Sequence, residues 1–290
     1  MKENTVKFLS AIIKTSLVIF LSFSLFAAKK GKAIIPVLSK DPYLGAIVVD
    51  ADSGEVIFEK NADVKGYPAS VLKLMDLLIV LDKIKEGVLK LEDQINVTAE
   101  AAKIGGSQVY LKEGEVFSVD ELLYALMVQS ANDAATALAI YIAGSKDAFV
   151  ELMNQKAKAL GMNNTEFHSI HGLPPAPDQQ PDITTARDLV ILSRELLKYP
   201  DTLRYTSTFE KGFRNNTFGM RNHNSLLGKV DGCDGLKTGY FTAAGYSMAA
   251  TAKRKDKRVI AILLGCPQKQ LRNQKVAELL AKGFMAKKAQ

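Results

Sequence analysis

The chain has 290 residues, 47% of them hydrophobic and 24% charged, with a net charge of +7. That balance excludes a disordered or fibrous chain and leaves room for one large domain or two small ones. Setting aside residues 1–28, which carry Lys2, Glu3, Lys7 and Lys14, leaves about +5, a modest excess suited to an anionic surface. No basic cluster interleaved with aromatics points to nucleic acid.

Residues 1–33 read as an export signal. Lys2 and Lys7 make a charged start, and Thr15–Ala28 is a nearly charge-free run of 14 residues, too short for an ordinary spanning helix. Retention as an uncleaved anchor is the alternative, and membrane attachment would then come through this segment. Both readings place the remaining residues, 34–290, outside the cytoplasm (the periplasm or the outer face of the cytoplasmic membrane) as one domain.

Within that domain, Gly45–Ala51 and Glu55–Lys60 flank a turn at Asp52-Ser53-Gly54 and predict a hairpin. Pro68 precedes a helix carrying Ser70 and Lys73. Ser118 and Glu121 form a capping-box pattern for a helix to about Gln129, a turn holds Ser130–Asn132, and a further helix runs to about Ile142. Ser145 and Gly161 bracket the next helix, Gly172–Asp182 is a proline-rich loop, and Thr185 caps a helix through Lys198. A strand at Lys237-Thr238-Gly239 is followed by strands at Gly245–Lys253 and Lys257–Leu264. The last helix puts Val276, Leu279, Leu280 and Phe284 on one face, which predicts core packing. Strands at both ends with helices between predict an α+β domain: an antiparallel sheet built from both termini and covered by helices.

Three motifs carry the chemistry. Ser70-Val71-Leu72-Lys73, Ser130-Ala131-Asn132 and Lys237-Thr238-Gly239 each have a pattern that occurs once in the chain. Ser70 and Lys73 are three apart and share a helix face. A serine hydroxyl needs an adjacent base, and Lys73 serves if burial or a neighbouring cation such as Lys237 keeps it neutral for part of the time. Ser130 is placed to relay a proton between Lys73 and a leaving group. Asn132 offers an amide to hold a substrate backbone group. Lys237 and Thr238 supply a cation and a hydroxyl for a carboxylate, and Gly239 admits close backbone approach. The backbone N–H groups of Ser70 and Tyr240 are the oxyanion donors.

His168 and His171 precede the proline-rich loop without a Glu or a third ligand, so no metal site is expected. His223 is expected near the site entrance. Cys233 and Cys266 fall at opposite ends of the predicted sheet, roughly 25–30 Å apart. A disulfide needs Cα atoms within about 7 Å, so two free thiols are expected.

With these motifs, the segments Val49–Gly54, Lys60–Asp63, His171-Gly172-Leu173-Pro174, Thr185–Leu189 and Asp234–Gly239 resemble the D-alanyl-D-alanine carboxypeptidases among the low-molecular-mass penicillin-binding proteins, over roughly residues 40–286. The resemblance implies a β-lactamase/transpeptidase-like fold with helices on both faces of the sheet. It implies removal of the terminal D-Ala from peptidoglycan pentapeptide, and covalent inhibition by β-lactams. Ser70 becomes nucleophile, Lys73 base, Ser130 relay, Asn132 substrate holder and Lys237-Thr238 the carboxylate clamp. Arg272 matches a family arginine near the carboxylate subsite. No cofactor is implied. The C-terminal β-rich domain common in the family is expected to be missing. The family usually has Thr where this chain has Leu72 and Asp76, and a buried Asp76 is expected to favour charged Lys73 and slow acylation. A D,D-endopeptidase would use the same residues. A class A β-lactamase fits less well, for want of an E-x-x-L-N motif, and a silent peptidoglycan-binding module is the remaining alternative.

Overall fold

The computed structural model describes residues 42–286; the predicted export segment, residues 1–33, lies outside the described residues. Five strands form one antiparallel sheet: β1 (Gly45–Asp50), β2 (Val56–Lys60), β7 (Cys233–Phe241), β8 (Gly245–Arg254) and β9 (Lys257–Cys266), in the order β2-β1-β9-β8-β7. The N-terminal hairpin therefore joins the C-terminal meander, Ile47 lying opposite Ile262. The sheet drawn from both termini is as expected.

Alternation along the central strands explains why both faces are covered. Ile47, Val49, Ile260, Ile262 and Leu264 point into the larger core, among the helices. Ala46, Val48, Ala261 and Leu263 point the other way, onto Val276, Leu279 and Leu280 of the last helix, α8 (Lys269–Met285). A methyl group on Gly283 would come 3.0 Å from both Val48 and Val259 side chains, so glycine lets α8 lie close on the sheet.

The helical layer is built around α1 (Lys73–Lys85). Leu74, Met75, Leu77, Leu78 and Val80 are all fully buried, the pattern of a helix enclosed on every side. Around it stand α4 (Asn132–Ala143), α5 (Lys146–Leu160) and α6 (Ala186–Leu196), and α3 (Val119–Tyr124, extended by a wider turn at Ala125–Gln129) packs on α4. Their ends follow the capping chemistry in the sequence. Ser118 and Glu121 form the reciprocal capping box, Ser145 accepts from Ala148 N, Gly161 closes α5 in a left-handed conformation, and Thr185 accepts from Asp188 N.

Two differences from the sequence reading matter for the site. Ser70 is not on the α-helix itself. It lies in a tight 3-10 turn, Ala69–Leu72, and Lys73 opens α1. Small elements also appear that the periodicity did not predict: β3 (Gln94–Asn96) pairs with β4 (Val116–Ser118) around α2 (Ala99–Lys103), and β5 (Glu210–Phe213) pairs with β6 (Phe218–Arg221) after α7 (Asp201–Thr206). Cys233 opens β7 and Cys266 closes β9. Cys233 faces Ala252 across the sheet whereas Cys266 faces Tyr246, at opposite ends of β8, and both thiols are free.

Candidate active site

The site lies where the turn before α1, the turn between α3 and α4, and strand β7 meet. Ala69 adopts φ 46°, which turns the chain sharply just before Ser70. Gly172 packs against this turn at φ +71°, and a Cβ there would sit 2.3 Å from the Ala69 carbonyl oxygen. On the opposite side a Cβ on Gly239 would lie 2.5 Å from Pro68 O and 3.1 Å from Ser70 N. The K-T-G strand thus passes directly against the Ser70 turn, and only glycine permits the approach.

Lys73 is fully buried, and its ammonium is triply engaged: Nζ donates to Ser70 Oγ at 3.1 Å, to Asn132 Oδ1 at 2.7 Å and to the His171 carbonyl at 2.7 Å. Burial pushes its pKa down to about 8, against the opposing pull of Asp76, Asp182 and Asp133. Of the two causes the sequence offered, burial and a neighbouring cation, burial is the one that frees the Lys73 amine. Asn132 Nδ2 donates to Gly105 O at 2.7 Å, which leaves one N–H of that amide for another acceptor.

Ser130 holds a left-handed conformation, φ 61°. Its hydroxyl is buried with no protein hydrogen-bond partner. Such a group has an unfilled valence facing the cleft, which is what a proton relay requires before substrate arrives. Lys237 is buried and donates only to its own strand, at Thr238 O, 3.2 Å. Burial, then the cations Lys73 and Arg272, hold its pKa well below the usual lysine value. Arg272, at the start of α8, is buried and donates to Asn273 Oδ1 and Ser247 O; burial lowers its pKa to about 10. Lys237 and Arg272 donate to no carboxylate among the described residues and repel one another, so they make a receptor for a carboxylate, whose arrival relieves that repulsion.

Ser70, Ser130, Asn132, Thr238, Gly239, Tyr240 and Arg272 line one cavity of about 350 Å³. Lys73 and Lys237 lie behind its wall. Every residue predicted for the site from the sequence is therefore brought together, and His223 stands at the same cleft. Tyr240 is half exposed and stacks on Tyr246, ring centroids 4.0 Å apart. Sequence reasoning missed the carbonyl of His171, because the acceptor is a backbone atom delivered from a distant loop; only the His171–Pro174 segment hinted at it. It also missed Asp182, which secures that loop by accepting from His168 N, Ser169 N and Ser169 Oγ, while Ser169 Oγ accepts from Gly172 N. No group of His, Cys, Asp and Glu fit to hold a metal occurs among the described residues.

The family profile described as D-alanyl-D-alanine carboxypeptidase matches residues 44–268. The chain belongs to this family. It is similar to the D-alanyl-D-alanine carboxypeptidase DacF of Bacillus subtilis, 34% identical over 281 residues, covering 96% of this chain and 71% of that protein. It is also similar to DacC of Escherichia coli, 39% identical over 246 residues, covering 82% of this chain and 60% of that protein. Among solved structures, penicillin-binding protein D2 of Listeria monocytogenes in its ampicillin-bound form has a TM-score of 0.76 and 32% identity, covering 84% of this chain and 97% of that one. The carboxypeptidase family is one of serine hydrolases with the β-lactamase/transpeptidase fold, and the sheet and helical layers described above are that fold.

Proposed function

We propose that this protein removes the terminal D-Ala from peptidoglycan stem peptides through an acyl-enzyme on Ser70. The observation that carries the reading is the Lys73 Nζ–Ser70 Oγ contact of 3.1 Å inside a cleft that also holds a carboxylate receptor. The C-terminal carboxylate of the peptide is received by Lys237, Thr238 and Arg272, and Asn132 holds the backbone. Ser70 Oγ attacks the penultimate carbonyl and its proton passes to the neutral Lys73 amine. The Ser70 and Tyr240 N–H groups stabilise the oxyanion. The C–N bond then breaks, and the proton travels from Lys73 through Ser130 Oγ to the departing amine of D-Ala. Water hydrolyses the ester and returns Ser70.

A β-lactam presents the same carboxylate and acyl carbonyl, and is therefore expected to acylate Ser70. We place the enzyme outside the cytoplasmic membrane, on the basis of its substrate and its N-terminal segment. No helix among the described residues is long and apolar enough to cross a membrane.

One observation favours a second activity, cleavage of cross-links. A cavity of about 440 Å³ adjoins the cleft and shares His223 and Lys269 with it, and Arg221 and Lys229 also line it. It abuts the Ser130 and Arg272 side of the cleft, where the leaving group sits, and so has room for a leaving group bearing an anionic peptide. Release of D-Ala from pentapeptide, measured beside cleavage of a cross-linked dimer, tests both readings. Failure of both reactions in a folded protein overturns the assignment.

A further inference from the structure

Three buried carboxyl groups, Asp76, Asp133 and Asp182, lie around Lys73, and one is unlike the others. Asp133 of α4 accepts from the backbone N–H groups of Val109, Leu111 and Ala134. Asp182 is clothed by the three donors described above. Asp76, one turn beyond Lys73 on α1, is 2% exposed, and neither of its oxygens has a hydrogen-bond partner. Its helix neighbours Leu72, Met75, Leu77 and Ile79 are all buried and apolar. The charged groups on the two other helices packed on α1 are engaged elsewhere: Asp188 of α6 accepts from Asn164 N and Thr165 Oγ1, and Lys156 of α5 pairs with Asp82 at 2.7 Å.

A bare buried carboxylate with no donors is one of the costliest arrangements in a protein, so such a group gives up its proton only where a buried cation beside it offsets the charge. Burial accordingly raises the Asp76 pKa well above the usual carboxylate range, with Lys73 and Lys237 pulling it down and Asp182 pushing it up. Nothing in the mechanism above uses this acid.

We propose that Asp76 is a positioning residue that acts through Lys73, the two side chains competing for one proton so that the general base is held back until the pH rises. The inference rests on the acylation chemistry proposed above. With both groups protonated the site is inactive. Loss of one proton gives either an ammonium at Lys73 with a carboxylate at Asp76, or an amine at Lys73 with an acid at Asp76. Only the second form can accept the Ser70 proton. The two groups share no hydrogen bond, so the coupling is electrostatic and the proton exchanges with solvent. A neutral side chain at position 76 abolishes the unproductive form.

The test is the pH profile of acylation by benzylpenicillin for wild type, Asp76→Thr and Asp76→Asn. The acid limb is expected to move down by about one pH unit in both variants, giving about tenfold faster acylation just below the wild-type limb, where Asp76 is a carboxylate and holds Lys73 as the ammonium. A limb that stays in place, whether the rate is unchanged or altered equally at every pH, overturns the proposal and leaves Asp76 a packing residue. Difference infrared spectra of the unreacted protein give a readout that needs neither activity nor a folded variant. In wild type a buried protonated-carboxyl band should grow in as the pH falls further below the limb and Asp76 takes up its own proton, and it should be lost in Asp76→Asn where that variant folds. Absence of the band from wild type overturns the proposal even if the enzyme is active. The band present without penicillin acylation would overturn the functional reading instead, along with the control of acylation inferred from it.

Discussion

Lys73 Nζ stands 3.1 Å from Ser70 Oγ and donates its other two hydrogens to Asn132 and to the His171 carbonyl. The lysine is thus aimed at the serine by two acceptors from different parts of the fold. Replacing it with methionine keeps the volume and removes the base. Acylation by penicillin should fall by about 10²–10⁴-fold, the usual range for losing a general base. Stopped-flow or gel assays with a fluorescent penicillin read this directly.

The same residue gives a signed pH dependence. Its pKa is about 8 in the folded protein against 10.5 ordinarily. Between those values the unfolded chain binds more protons than the native one, so the Lys73 contribution makes stability rise with pH across that window. The Lys73→Met variant should lack this rise in urea titrations. Acylation should climb through about the same lower value, since only the free amine serves as base.

Gly239→Ala is expected to abolish acylation with little loss of secondary structure. Its new methyl group would meet Pro68 O at 2.5 Å and Ser70 N at 3.1 Å, forcing the nucleophile turn away from the strand. Circular dichroism together with penicillin labelling separates this local effect from unfolding. Normal labelling would show that the strand and turn can part without consequence.

Asp182→Ala removes the acceptor for three donors under the His171 loop. The stranded donors should cost about 3 kcal/mol, a drop of roughly 6–12 °C in Tm for a domain of this size. Acylation should weaken as well, because the carbonyl that orients Lys73 loses its support. Calorimetry and labelling on one preparation test both effects.

Cys233 and Cys266 should both react with a thiol reagent after denaturation without reductant. A cross-linked Cys233–Cys266 peptide in non-reducing mapping would contradict the register that sets them at opposite ends of β8.

Much of this architecture was legible in the chain because it is written in local signals. The capping residues Ser118, Ser145 and Thr185 mark helix starts by hydrogen bonds to residues three positions away. The apolar runs in β1 and β9 mark strands covered on both faces. The spacing of Ser70 and Lys73 places them together across a single turn. The hairpin β5–β6 was not legible, since four-residue strands with charged, exposed faces carry no period to detect. The His171 carbonyl was invisible because any residue has one, and only tertiary structure aims it. Asp76 was seen as a departure from the family, but its lack of partners follows from the packing of α1.

The central claim is that Ser70 is the acylated nucleophile. Intact mass of the purified protein with benzylpenicillin, wild type beside Ser70→Ala, tests it most directly. The account predicts a stable adduct of one penicillin on wild type and none on the variant. An adduct that persists on folded Ser70→Ala, or a folded wild type that neither forms an adduct nor hydrolyses penicillin, would contradict it.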